Sequence, residues 1–287
     1  MVRYNADEVI AVKKISASLI NRVIQPRPQE SHKGTFGRVL VIGGNAQFGG
    51  AAIMAASAAV YCGAGLVSVA TAPVNRSALH ARLPEAMIIP YDDPQLMALI
   101  RTVDVVAIGP GLGTDELAAS ILSHTLKTVK DSQALIIDGS AITLIAEHQL
   151  TVSHARTVWT PHQMEWQRLS GIAVRDQTPL ANQTAATKLP GTVIVKSHRT
   201  ELFTPTASYE NPVGTPAMAT GGMGDTLVGM LAGFIAQFGL SDDVVSAAVY
   251  AHSAIAEELA KTNYVVLPSM LIQQLPNYMQ RAAAAQV

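Results

Sequence analysis

Short β-rich apolar runs alternate along the chain with longer stretches of helical pattern. The segment "RVLVIGG" (38–44) predicts a buried strand, and the Ala-rich "AAIMAASAAVYCG" after it predicts a helix. Further strands are expected at "LVSVAT" (66–71), "AMIIP" (86–90) and "VDVVAIGPG" (103–111), the last ending in a Gly-Pro-Gly turn before a helix near 115–130. "ALIIDGSA" (134–141) repeats the design of strand, terminal acid and helix, and "TVWTPH" (157–162) repeats it again. "TVIVKSHRTELFTP" (192–205) reads as two strands around a polar turn. From Gly224 onward helices are expected over 225–238, 242–260 and 269–284.

Uncharged strands separated by helices imply a mostly parallel sheet covered on both faces, an α/β fold. One domain is the simplest organisation. It carries an N-terminal helical extension over about residues 1–30, joined to the first strand by the Pro-rich "QPRPQE" (25–30). The tail "AAAAQV" is expected to fray, and no fixed-period repeat is present.

Composition narrows the class. Of 287 residues 49% are hydrophobic and 14% charged, enough for a large core, and a net charge of −1 argues against a broad nucleic-acid or membrane surface. The single cysteine, Cys62, excludes an intrachain disulfide and a thiolate cluster, which suits a reducing, cytoplasmic setting. The N-terminus does not read as a signal peptide. No charge occurs between Val39 and Asn75, but glycines, Asn45 and Gln47 interrupt that stretch, so it reads as strand, loop, helix and strand inside a soluble core.

Ligands of open α/β sheets bind at the carboxyl ends of strands. The candidates there are Gly43 to Gly50, Gly109 to Gly113, Asp138, His162 and Lys196, followed by "TGGMGD" (220–225) at a helix start. In that last motif the amides of Gly222, Met223 and Gly224 and the positive helix end suit phosphate. An acid in the same place repels phosphate. Asp225 therefore makes sense either as a cap or as a general base for a hydroxyl attacking the phosphate. The first glycine loop matches neither G-x-G-x-x-G nor G-x-x-x-x-G-K-[ST]; it is a tight turn or a place of close backbone approach to a ligand. Lys196 contacts nucleotide phosphate or opens a solvated hairpin turn. His162 is a structural hydrogen-bonder or a site residue. No residues have the spacing of a transition-metal site, whereas Mg²⁺ held loosely with a nucleotide leaves little trace in sequence.

Several motifs together resemble one family. "HKGTFGRVLVIGGNAQFGGAAIMAASAAVYCGAGLVSVAT", "PEAM", "IGPGLG", "TPHQMEWQRL", "VIVKSHRT", "MATGGMGDTLVGMLAGFIAQ" and "AAVYAHSAIAEELA" occur in the order seen in ADP/ATP-dependent NAD(P)H-hydrate dehydratases. These form a carbohydrate-kinase-like branch of the ribokinase-like fold, a three-layer α/β/α sandwich, and the likeness covers about residues 30–280. The resemblance implies a coenzyme-repair lyase. ADP or ATP phosphorylates the hydroxyl of hydrated NADH or NADPH, and loss of phosphate restores the coenzyme. It places Ala51, Gly111, His162 and Asp225 against the hydrate, and Lys196, Ser197, His198, Arg199, Thr200 and Gly224 on the nucleotide. It also implies a homotetramer and a separate epimerase in the same pathway. The chain departs from the family pattern at Gln163 and Met164 (usually Pro-Gly), at Ser197 (usually Gly) and at Ser140 (usually a second acid). Two other readings use the same fold: a kinase for a hydroxymethylpyrimidine, a thiazole or a sugar, and a non-catalytic nucleotide-binding protein.

Overall fold

The computed structural model describes residues 12–285. In chain order the strands and helices are β1 (Lys13–Lys14), α1 (Ser18–Val23), β2 (Arg38–Ile42), α2 (Gly49–Tyr61), β3 (Leu66–Thr71), α3 (Arg76–Arg82) and β4 (Met87–Pro90). There follow α4 (Leu96–Ile100), β5 (Val105–Ile108), α5 (Glu116–Thr128), β6 (Ala134–Ile137), α6 (Gly139–Glu147), β7 (Thr157–Trp159), α7 (Gln163–Ser170) and α8 (Pro179–Ala186). The chain then forms β8 (Thr192–Val195), β9 (Glu201–Phe203), β10 (Ser208–Glu210), α9 (Met223–Phe238), α10 (Asp242–Ala260) and α11 (Pro268–Ala284).

The strands form one sheet in the order β1-β10-β9-β8-β7-β6-β5-β2-β3-β4. Neighbours from β8 through β4 pair in parallel, while β9 runs antiparallel to both β8 and β10. Side chains alternate between two cores. Val39 and Val41 of β2, Val105 and Ala107 of β5, and Ile136 of β6 face a layer built from α1, α2, α9, α10 and α11. Leu40, Ile42, Val106, Ile108, Leu135 and Ile137 face the layer containing α4, α5 and α6. This is the expected three-layer α/β/α arrangement with a mostly parallel sheet. Strands buried on both sides have no face left for charge, which explains their composition.

The Ala-rich helix α2 lies in the core of this chain, with Ala52, Ala55, Ala56, Ala58 and Ala59 all buried. It packs closely against α9: a Cβ on Gly229 would come within 2.0 Å of the Ala55 carbonyl oxygen. Of the expected helical extension, residues 1–11 fall outside the described residues. The remainder is not one helix. Lys13 and Lys14 pair in parallel with Tyr209 and Glu210 at the sheet edge, and only Ser18–Val23 is helical. The strand itself is two exposed lysines, so its own sequence does not announce it and its geometry comes from β10. The last two residues of the tail, 286–287, also fall outside the described residues.

Candidate active site

The carboxyl ends of β5 to β8 and the N-terminus of α9 meet at one end of the sheet. Helix α9 begins after Gly222, whose φ of +94° is a left-handed turn that favours glycine. No side chain caps this helix. Among the described residues the amides of Gly221, Gly222, Met223 and Gly224 donate to no other group of the chain. Uncapped amides at the positive end of a helix form a cradle for an anion. Asp225 stands in this first turn.

Three more charged side chains converge on Asp225 from other elements. Asp138 ends β6, Lys196 follows β8 and Glu165 lies in the first turn of α7. The Lys196 Nζ is 2.7 Å from Asp138 Oδ1, and the same oxygen accepts from Thr160 Oγ1 at 2.7 Å. A Cβ on Gly224 would sit 3.2 Å from Lys196 Nζ, so the ammonium lies directly against the α9 turn. The absence of a side chain at 224 makes room for it.

Burial raises the Asp225 carboxyl to about 7; the Asp138 charge adds to the rise, Lys196 opposes it and Glu165 adds further. Burial also raises Glu165, with Lys196 opposing and Asp138 reinforcing. Burial disfavours the Lys196 charge, but Asp138 and Glu165 outweigh it and the net shift is upward. The group thus pairs a persistent cation with a carboxyl poised to exchange a proton near neutral pH. That is the condition for a general base.

His162 is the N-cap of α7. Its Nδ1 accepts from the Met164 and Glu165 amides at 3.1 and 3.2 Å, and Glu165 Oε2 accepts from the His162 amide at 2.8 Å. This reciprocal box fixes both side chains beside Lys196, with which His162 forms a parallel bridge. Ala51 and Gly111 adjoin each other, since a Cβ on Gly111 would be 2.9 Å from Ala51 Cβ.

Ser197 to Thr200 form the turn of the β8–β9 hairpin. Ser197 Oγ accepts from the Arg199 amide at 3.0 Å, and Arg199 donates to the Pro212 carbonyl at 2.9 Å. Of this stretch only Lys196 reaches the carboxylates. The departures are accommodated locally: Ser140 Oγ accepts from the Gly113 amide at 3.1 Å, the Gln163 carbonyl accepts from Gln177, and Met164 is exposed.

Sequence reasoning put Asp138 at a strand end without a partner and did not single out Glu165 or Thr160. The Glu165 signal was its third position after the cap residue. His252 on α10 was also missed. Its buried ring faces the Met223 carbonyl and, desolvated, is pushed down to about 4, so it stays neutral. Among the described residues no three His, Cys, Asp or Glu side chains come together to hold a metal ion.

The sequence profile of the carbohydrate-kinase family described as NAD(P)H-hydrate dehydratase matches residues 39–279. The chain belongs to this family. It is 54% identical over 271 residues to an ADP-dependent (S)-NAD(P)H-hydrate dehydratase of Lactiplantibacillus plantarum, covering 94% of this chain and 98% of that one. A ribokinase-like superfamily protein of Enterococcus faecalis superposes with a TM-score of 0.93 at 45% identity, covering 99% of each chain. An ADP/ATP-dependent NAD(P)H-hydrate dehydratase of Bacillus subtilis, crystallised with ATP and Mg²⁺, superposes with a TM-score of 0.84 at 28% identity, covering 94% of this chain and 99% of that one. The fold is therefore ribokinase-like.

Proposed function

We propose that this dehydratase-family chain restores hydrated NADH and NADPH, acting on the S form with ADP as phosphoryl donor. The observation that carries the reading is Asp225: a carboxyl held near neutrality at the foot of an uncapped helix, with an ammonium alongside. The names of relatives such as that of L. plantarum support ADP and the S epimer.

In this reading the hydrate lies against Ala51, Gly111 and His162, with its ring hydroxyl at Asp225. Asp225 takes the hydroxyl proton as the oxygen attacks the terminal phosphorus of ADP. The bond from that phosphorus to the bridging oxygen breaks and AMP leaves with the electron pair. The amides of Gly222, Met223 and Gly224, together with Lys196, balance the charge on the phosphoryl oxygens. The ring carbon–oxygen bond then breaks, phosphate departs, the adjacent ring carbon loses a proton and the double bond returns. Ser197, His198, Arg199 and Thr200 border the nucleotide from the hairpin turn. Mg²⁺, where the nucleotide carries it, would neutralise part of the phosphate charge beside Lys196 and the α9 turn.

The test is incubation of the purified protein with hydrated NADH and ADP or ATP. Recovery of NADH absorbance with release of one phosphate and one AMP per turnover is expected with ADP. A stable phosphorylated product without NADH would instead establish a small-molecule kinase.

A further inference from the structure

Asp138 occupies the N-cap position of α6 yet makes no capping hydrogen bond. An aspartate there ordinarily accepts from an amide of the first turn. Here its Oδ1 turns away, to Thr160 Oγ1 and Lys196 Nζ, each at 2.7 Å. The Asp138 side chain is 5% exposed and that of Lys196 18%. Among the described residues Lys196 forms no ion pair with Asp225 or Glu165, although both carboxylates feel its charge. One lysine thus stands among three acids and pairs with the one farthest along the chain from the α9 turn.

We propose that Asp138 is a positioning residue: anchored by Thr160, it keeps the Lys196 ammonium beside Gly224 and off Asp225. The base is left unpaired and able to accept a proton, while the ammonium remains aimed at the turn. The inference rests on the reading of Asp225 as the base.

The surroundings decide the sign of its consequence. Asp225 is faced by Asp138 from the end of β6, Lys196 from the end of β8 and Glu165 from α7. From α10 the neutral His252 lies within the field of Lys196. The α2 helix packed on α9 carries no acidic or basic residue. Replacing Asp138 by Asn removes a negative charge near Asp225 and releases Lys196 to pair with it. Both changes favour the ionised form of Asp225.

The experiment is the pH dependence of kcat/KM for hydrated NADH at saturating ADP, in wild type, Asp138→Asn and Thr160→Val. Wild type is expected to lose activity on the acid side with a midpoint near 7. Asp138→Asn is expected to move that limb down by about one pH unit or more, and to lower kcat at the optimum about tenfold to a hundredfold through the misplaced ammonium. Thr160→Val, which keeps every charge, should shift the limb in the same direction by less. It decides the matter if Asp138→Asn does not fold. A variant whose activity falls by one factor at every pH, with the limb unmoved, would overturn the inference and leave Asp138 a structural residue. A wild type without an acid limb would overturn the base reading itself, an outcome separate from an unmoved limb in the variants.

Discussion

The turns before α2 and α9 are both glycine-rich, and both open helices on the same face of the sheet. In the first, the residues leading out of β2 satisfy themselves, while the Gly49 and Gly50 amides at the uncapped head of α2 have no partner among the described residues. The amides of Gly43, Gly44 and Asn45 donate to Ala70, Pro110 and Gly111, and those of Gln47 and Phe48 to Asn45 Oδ1. The Gly44 carbonyl accepts from Thr71 Oγ1 and Asn75 Nδ2, both at 2.7 Å. In the second, the Gly221 to Gly224 amides have no such partners among the described residues, and the one outside group against Gly224 is a lysine ammonium. Similar glycine content therefore serves two ends. At Gly43 the first turn lets backbone pack on backbone; at Gly222 to Gly224 the second leaves donors free beside an ammonium.

The largest effect expected from breaking this contrast is at the open turn. Asp225→Asn should retain ADP binding by titration and lose turnover of hydrated NADH by at least about a hundredfold. Normal turnover would remove Asp225 from the chemistry. At the closed turn the loss should fall on stability instead. A Cβ on Gly43 would lie 2.0 Å from the Pro110 carbonyl oxygen. Gly43→Ala should therefore cost about 1–3 kcal/mol in denaturant unfolding, with ADP affinity of the folded protein unchanged.

Gly224→Ala sharpens the comparison. Its Cβ meets only the tip of Lys196, so the melting temperature should hold while ADP affinity drops about tenfold as the ammonium is displaced (about 1.4 kcal/mol). A fall in stability without a change in affinity would make the second turn structural like the first. The smallest effect concerns pH. Asp225 holds its proton up to about 7 when folded, against an ordinary value of 3.8. Between those values the folded state binds more protons than the unfolded chain, so this group's contribution to stability is lost as pH rises through the window. Asp225→Asn should accordingly melt a few degrees higher than wild type at pH 8, with little difference at pH 4. Equal melting at pH 8 would show that the carboxylate is not strained by burial.

The long periodic elements were readable in the chain. "LVSVAT" is β3 to the residue, and the three final helices lie within two residues of their expected bounds at most. Short or weakly apolar pieces were not: β1, β10 and α8 owe their form to neighbours rather than to periodicity. At the site, the strand-end position singled out Asp138, His162 and Lys196, and the glycine motif at a helix start singled out Asp225. Their mutual arrangement was hidden, because the pair formed by Asp138 and Lys196 spans the strands and helices between β6 and β8. In the first glycine loop the structure shows Pro110 packed on Gly43 and Asn75 on Gly44 and Gly49, contacts that no local pattern announces, while Gly50 stays open.

Local pattern was enough to dictate a covered parallel sheet, a glycine-broken start to α9 and an acid within it. Those properties depend on residue type and spacing over a few turns of chain. Folding decided which donors stay unpaired, which carboxylate Lys196 chooses and how tightly Asp225 holds its proton. Those depend on burial and on charges brought together across the sheet, and both arise only once distant strands lie side by side.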